Sequence, residues 1–323
     1  MKLLKGISVF LITFSIVCLP AVQARENVFP EVSIETKELV HVVEFLTGLR
    51  PYRNFKNVNS LNKAADFISR QLGQNGLQPS FQPYLVDGKG YKNVVASLGP
   101  ANADRLIIGA HYDVYEEQDG ADDNASGVAG LLTLARLLKP HENELSIRIE
   151  FVAFTLEEPP FFRTEQMGSF VHAKSVSKSA ENVIGMISLE MIGYFTEEPD
   201  SQEFPVSVMK LIYPTTGNFI AVVSNFSSSH LKNHFKKSLS LTSIDVETLA
   251  APSSIKGVDF SDHLNYWKHD MDAIMITDTA FFRNPHYHKK TDTIETLDFE
   301  KMKEVIKGVY WGVLELSKQR KTK

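Results

Sequence analysis

Between Arg105 and Leu138 the sequence changes character twice within a short distance. Arg105-Leu106-Ile107-Ile108-Gly109-Ala110 is a short apolar run that reads as a buried strand. From His111 to Gly127 it gives way to HYDVYEEQDGADDNASG, which holds one histidine, four aspartates and two glutamates and no Lys or Arg. Val128 to Leu138 is apolar again and reads as a helix. Strand, polar turn, helix is the repeating unit of open α/β folds, which place their chemistry at the carboxyl ends of strands. Imidazole and carboxylates gathered at such a turn point to a hard or borderline divalent cation, zinc first.

The rest of the chain repeats that alternation. Helical spacing is expected over 34–48, 59–74, 164–175, 227–239 and 299–316. Strands are expected over 78–85, 93–98, 146–155, 183–189, 219–224 and 273–277. This order predicts a three-layer α/β sandwich with a central mixed, mostly parallel sheet flanked by helices. In such a sheet His111, Glu157-Glu158 and Glu190, each just beyond an apolar strand, converge on one crevice.

Composition removes several alternatives. Lys2 and Lys5 precede an apolar run from Ile7 to Leu19, then Pro20 and Ala21-Val22-Gln23-Ala24 before Arg25. That pattern predicts a secretory signal peptide over 1–24, cut after Ala24, and an exported single domain over 25–323. The run is shorter than the ~20 residues of a spanning helix, so no stable membrane anchor is expected. Lipidation of Cys18 is disfavoured by the bulky Val17 before it. Cys18 is the one cysteine, so the mature chain offers neither disulfide nor thiolate, and any metal must be held by His, Asp and Glu. The net charge of −5 becomes −7 when Lys2 and Lys5 are removed. No basic patch other than the terminal Lys318–Lys323 stretch speaks for nucleic acid. The sequence carries no sign of oligomeric state.

Each acidic group alone has an ordinary reading as a turn, a cap or a solvated face. Glu157-Glu158 before Pro159-Pro160 carries more information. Adjacent carboxylates repel unless a cation stands beside them, and with a metal one can ligate while the other takes a proton. In Asp122-Asp123 one carboxylate can bridge two metals while the other shapes the turn with Asn124, Ser126 and Gly127. Asp113, two residues after His111, is placed to orient the imidazole.

GAHYD, GADDNASG, LEE, LEM and YHKKTDT, in that order and spacing, resemble the di-zinc exopeptidases of metallopeptidase family twenty-eight. Phe260-Ser261-Asp262-His263 resembles that family's Ser-Asp-His segment. The resemblance covers about residues 90 to 310 and implies aminopeptidases, glutamate carboxypeptidases and, as relatives, glutaminyl cyclases. It implies two Zn2+ ions held by His111, Asp123, Glu158, Glu190 and His288. Asp123 is chosen over Asp122 because it is fourth in the Gly-x-x-Asp segment. Glu157 is implied as the general base acting on a metal-bridging water, Asp113 as the partner of His111, and Asp292 as a similar support near His288. Tyr287 is implied beside the developing oxyanion. Where many aminopeptidases of the family carry Asp, this chain has Glu190, which leaves metal preference and substrate class open. His286 is the competing last ligand and is read instead as a loop residue.

The expected reaction is hydrolysis of the N-terminal peptide bond of a peptide substrate, because an acidic site suits a free α-amine. A carboxypeptidase on the same site would need a cation, for which Arg163 and Arg283 are candidates. A glutaminyl cyclase would work with one zinc, and a binding module would have lost ligands or base. The segment 196–214 reads as an inserted loop near the pocket.

Overall fold

The computed structural model describes residues 29–179 and 181–320, so the expected signal peptide and its cleavage point lie outside the described residues. From Val32 onward the chain is one compact unit. Its sheet has eight strands: β1 Ser80–Val86, β2 Lys89–Leu98, β3 Arg105–His111, β4 Arg148–Phe154, β5 Val183–Glu190, β6 Phe219–Ser224, β7 Asp245–Ala250 and β8 Ala273–Thr277. The helices are α1 Thr36–Thr47, α2 Val58–Gln74, α3 Gly127–Leu138, α4 Gly168–Val176, α5 Ser229–Leu239, α6 His263–Trp267 and α7 Phe299–Arg320. Strand order is β1-β2-β4-β3-β5-β8-β6-β7. The four inner strands β4, β3, β5 and β8 run parallel, β6 is antiparallel to β8, and β1 and β2 form an antiparallel meander.

Alternation along the strands decides which layer each side chain enters. Leu106 and Ile108, Ile187 and Leu189, Ile274 and Ile276, and Ile220 and Val222 face the main core with α1, α2, α3, α5 and α7. The intervening residues, among them Ile107, Met186 and Ala273, face α4 and α6. Beyond them Phe219, Ala221, Val223 and Met275 meet loop residues rather than a long helix. Core packing therefore fills one face of the sheet, while the other is left shallow enough to admit a ligand.

Expected and observed elements agree closely, with two omissions. β7 was not anticipated because DVETLA mixes acids with apolar residues on an edge strand, where one side of the pleat stays wet. The five-residue α6 is too short to show a period. α4 begins at Gly168, later than expected, because 159–167 forms a succession of turns after Pro159-Pro160. Among the described residues no helix is long and apolar enough to cross a membrane.

Candidate metal centre

Three parallel strands end at the same level and deliver their last residues to one place. His111 closes β3 and Glu190 closes β5, on the face shared with Ile107 and Met186. Glu157 and Glu158 follow β4 after a left-handed Leu156. Asp113 fixes that bend, accepting the backbone N–H groups of Glu157 and Glu158 at 3.1 Å each, one on either carboxylate oxygen. It also lies 3.6 Å from His111 Nδ1. Its clearest bonds are therefore to the glutamate backbone, a task that spacing from His111 did not reveal.

Asp123 arrives from the bent turn 121–126 before α3. Asn124 turns back to donate to the Leu189 carbonyl at 2.9 Å, and its oxygen accepts from Met191 and Gly127. A side chain at Gly127 would collide with that amide and with the Leu189 carbonyl, so the turn can sit this close to β5 only with glycine there. The neighbouring Asp122 faces away from the cluster, accepting from Gly193 N–H at 2.9 Å and from Asn284 at 2.7 Å. Asp292 accepts the N–H groups of Asp122 and Asp123 at 2.9 and 3.1 Å, so it clamps this turn rather than supporting His288 as the sequence had implied. His286 bonds Thr291 and stays out of the cluster.

His288 is the only member brought by a long loop. Its ring stacks on Tyr115 at 4.2 Å and on Tyr287 at 3.9 Å, both nearly parallel. Two rings stacked that closely cannot share one face, so the imidazole is sandwiched. Its Nε2 lies 3.3 Å from Asp123 Oδ2 and 3.1 Å from Glu158 Oε2. On the other side, His111 Nε2 lies 3.3 Å from Asp123 Oδ1, 3.4 Å from Glu190 Oε2 and 3.9 Å from Glu157 Oε2. Asp123 thus presents one oxygen to each histidine.

These polar atoms face one another without being satisfied. His111 Nε2, His288 Nε2 and Glu158 Oε1 are buried with no hydrogen-bond partner. Among the described residues three overlapping groups, His111–Asp123–Glu190, Asp123–Glu158–His288 and His111–Glu157–Glu158, have ligand atoms close enough to surround an ion. Buried carboxylates and orphaned imidazole nitrogens are the donor set that divalent cations take. The residues fit metal ions.

The electrostatics agree. Burial, with Glu190 and Glu158 adding to it, raises the Glu157 pKa well above the carboxylate range against the pull of His111. Burial and Asp123 push Glu158 up to about 7. Burial disfavours charged His111, yet Glu190 and Glu157 raise its pKa well above the usual histidine value. Asp123 is the exception: burial opposes its charge, but the two histidines beside it hold it below the usual range.

Of the supporting residues, Ser261 lies in the Ser-Asp-His segment that the resemblance marked, whereas Arg53 carried no signal in the sequence. Ser261 donates to Glu190 Oε2 at 2.7 Å and meets Ser188 at 2.8 Å. Arg53 is fully buried and donates to the carbonyls of Tyr112, Leu46, Asp119 and Gly120, tying the end of α1 to the site loop. Only a buried arginine before α2 could have hinted at this, and arginine there reads equally well as surface.

Two depressions meet at the cluster. An apolar cleft runs from Glu190 and Tyr287 over the open face of β8, β6 and β7, roofed by Phe204, Met209 and Tyr213 from the inserted loop. A polar one lies beyond His288, among Tyr115, Lys56 and Lys290.

A buried His/carboxylate cluster at parallel strand ends, between two substrate-sized depressions, defines a metal-dependent hydrolase of the α/β class. The sequence profile of Peptidase family M28 matches residues 93–310, and the chain belongs to that family. The chain is 43% identical to the uncharacterised protein YfbL of Escherichia coli K12, over 93% of this chain and 94% of that one. It is 24% identical to a probable leucine aminopeptidase of Trichophyton verrucosum, over 83% and 68% of the two chains. The zinc aminopeptidase BSAP of Bacillus subtilis superposes with a TM-score of 0.71 at 14% identity, covering 89% of this chain and 96% of that one. A glutaminyl cyclase of Bacteroides thetaiotaomicron superposes with a TM-score of 0.64 at 17% identity, covering 87% and 98%.

Proposed function

We propose that this M28 peptidase is an aminopeptidase working with two divalent ions, zinc by donor chemistry, on the N-terminal bond of peptides. The observation that carries the reading is Asp123 lying 3.3 Å from His111 Nε2 through one oxygen and 3.3 Å from His288 Nε2 through the other, both imidazole nitrogens being buried without a hydrogen-bond partner. His111 and Glu190 would hold one ion, Glu158 and His288 the other, with Asp123 between them. When bound, such a pair polarises the scissile carbonyl and acidifies a water molecule.

The chain's own groups do the rest. Glu157, held by Asp113 through its backbone N–H, accepts the proton of the attacking water and passes it to the leaving amine. Ser261 keeps one Glu190 oxygen oriented by donating to it. Tyr287, in the cleft wall beside Glu190, is placed to donate to the developing oxyanion. The free α-ammonium is received by the acidic ends of Glu157 and Glu190.

Two arginines that could have served a carboxypeptidase are otherwise engaged. Arg163 pairs with Asp259 and lies over the Phe162 and Phe260 rings. Arg283 is buried, donating to Gln202 at 2.9 Å and to the Phe219 carbonyl at 2.7 Å. Each fixes a loop. Against a single-zinc cyclase speaks the pair of ligand groups on either side of Asp123, His111–Asp123–Glu190 and Asp123–Glu158–His288. We also propose that the chain is exported as one catalytic domain after cleavage near Ala24, which N-terminal sequencing of the mature protein checks.

The test is hydrolysis of aminoacyl p-nitroanilides and N-blocked peptides, with metal stoichiometry on the same sample. Cleavage of free-amine substrates only, at about two ions per chain and abolished by chelator, is expected. One ion with cyclisation of N-terminal glutamine, or activity restricted to C-terminal bonds, sinks the reading.

A further inference from the structure

The strand register places a second carboxylate at the far side of the apolar cleft. Glu190 pairs with Thr277, Thr277 with Ala221, and Ala221 with Glu247. Residues paired across a sheet share a face, and all four line the cleft. Three strand spacings separate the outer two, about 14 Å between Cα atoms. Thr277 and Ala221 form a low floor between them, and Phe219, Met275, Leu249 and Phe260 supply apolar walls.

Glu247 has neither an ion pair nor a side-chain hydrogen bond among the described residues, although it is half-buried. Burial raises its pKa, with Lys236 only partly compensating. A carboxylate that loses water at the edge of an apolar channel is unfavourable until a cation meets it. The other acid of this rim, Glu203, is already paired with Lys210 at 3.1 Å.

We propose that Glu247 makes this cleft select substrates whose first residue is lysine or arginine. The proposal rests on the aminopeptidase reading above. The α-ammonium lies at Glu190 and Glu157, the apolar stem crosses Thr277 and Ala221, and the side-chain cation reaches Glu247. Lysine and arginine suit such a channel because an apolar stem carries a charged tip. Extended lysine holds its two nitrogens on the order of 7 Å apart, and a hydrogen-bond length of about 3 Å at each end brings its reach to about 13 Å, close to the roughly 14 Å between the two Cα positions. Lys256 works against this selection from the opposite wall, where its exposed ammonium lies 4.7 Å from the Phe281 ring.

The measurement is the ratio of kcat/KM for lysyl and arginyl p-nitroanilides to that for the leucyl compound, on the metal-loaded protein. The wild type is expected to favour the cationic substrates. Glu247→Gln should lower the ratio about tenfold, the worth of one charge-assisted contact. Lys256→Gln, at an exposed position, should raise it severalfold and decides the matter if Glu247→Gln does not fold. Preference for leucine in the wild type, or a ratio moved by neither variant, overturns the proposal and leaves the aminopeptidase reading standing. Failure to cleave any free-amine substrate overturns both.

Discussion

The two halves of the metal centre are built differently. On one side His111 and Glu190 are the closing residues of adjacent parallel strands, wholly or almost wholly buried, with Glu190 braced by Ser261. On the other, His288 comes from a loop, with its side chain 21% exposed and two tyrosine rings in place of a sheet to hold it. A strand end is fixed by ladder hydrogen bonds on both sides, whereas a sandwiched ring can slide. The difference teaches that one shared residue, Asp123, joins a rigid half of the cluster to a softer one.

The sharpest test leaves that comparison intact and removes only chemistry. Glu157→Gln should reduce kcat by about 10²–10⁴-fold while metal content stays the same, as read by steady-state kinetics and metal analysis. Loss of an ion would make Glu157 a ligand instead.

Next comes the asymmetry itself. His288→Ala should leave one ion per chain, and titration of the wild type with a weak chelator should release ions in two steps, the His288 side first. A single step, or loss of both ions in His288→Ala, would show that the halves stand or fall together.

A pH series sharpens the role of the buried acids. In the metal-free protein burial raises Glu158 and Asp262 to about 7 and Asp278 to about 6. Groups with raised folded-state pKa values stabilise fully below their unfolded values and lose that contribution as pH rises through the folded ones. The apo protein should therefore lose thermal stability between about pH 4 and 7. Zinc should flatten the profile, and an apo form that grows more stable over this window would refute the assignment.

The smallest effect concerns the tyrosine sandwich. Tyr115→Ala should weaken the His288-side ion by a few-fold, about 0.5–1.5 kcal/mol, with the His111-side ion unaffected in the same calorimetric titration.

The residues at strand ends, in both halves, were the legible ones. Each of His111, Glu157, Glu158 and Glu190 follows an apolar run whose length and β-branched content announce a buried strand, so convergence followed from the α/β pattern. Asp123 and His288 were reached through resemblance, because a bent turn and a long loop have no period to read. The braces were least visible. The resemblance implied Asp292 as a support for His288, but it bonds the backbone of Asp122 and Asp123, and Arg53 spends its donors on four carbonyls. Contacts of that kind are made to the main chain, which any residue supplies, so side-chain identity at the receiving end leaves no trace.

Asp292 also gives the centre an order of assembly. The loop that carries His288 is the one that clamps the turn bearing Asp123, across a separation of 169 residues. Neither half of the cluster is complete until the last strand is in the sheet and this loop has docked. A chain still emerging, or one nicked within 284–293, would lack the finished cluster.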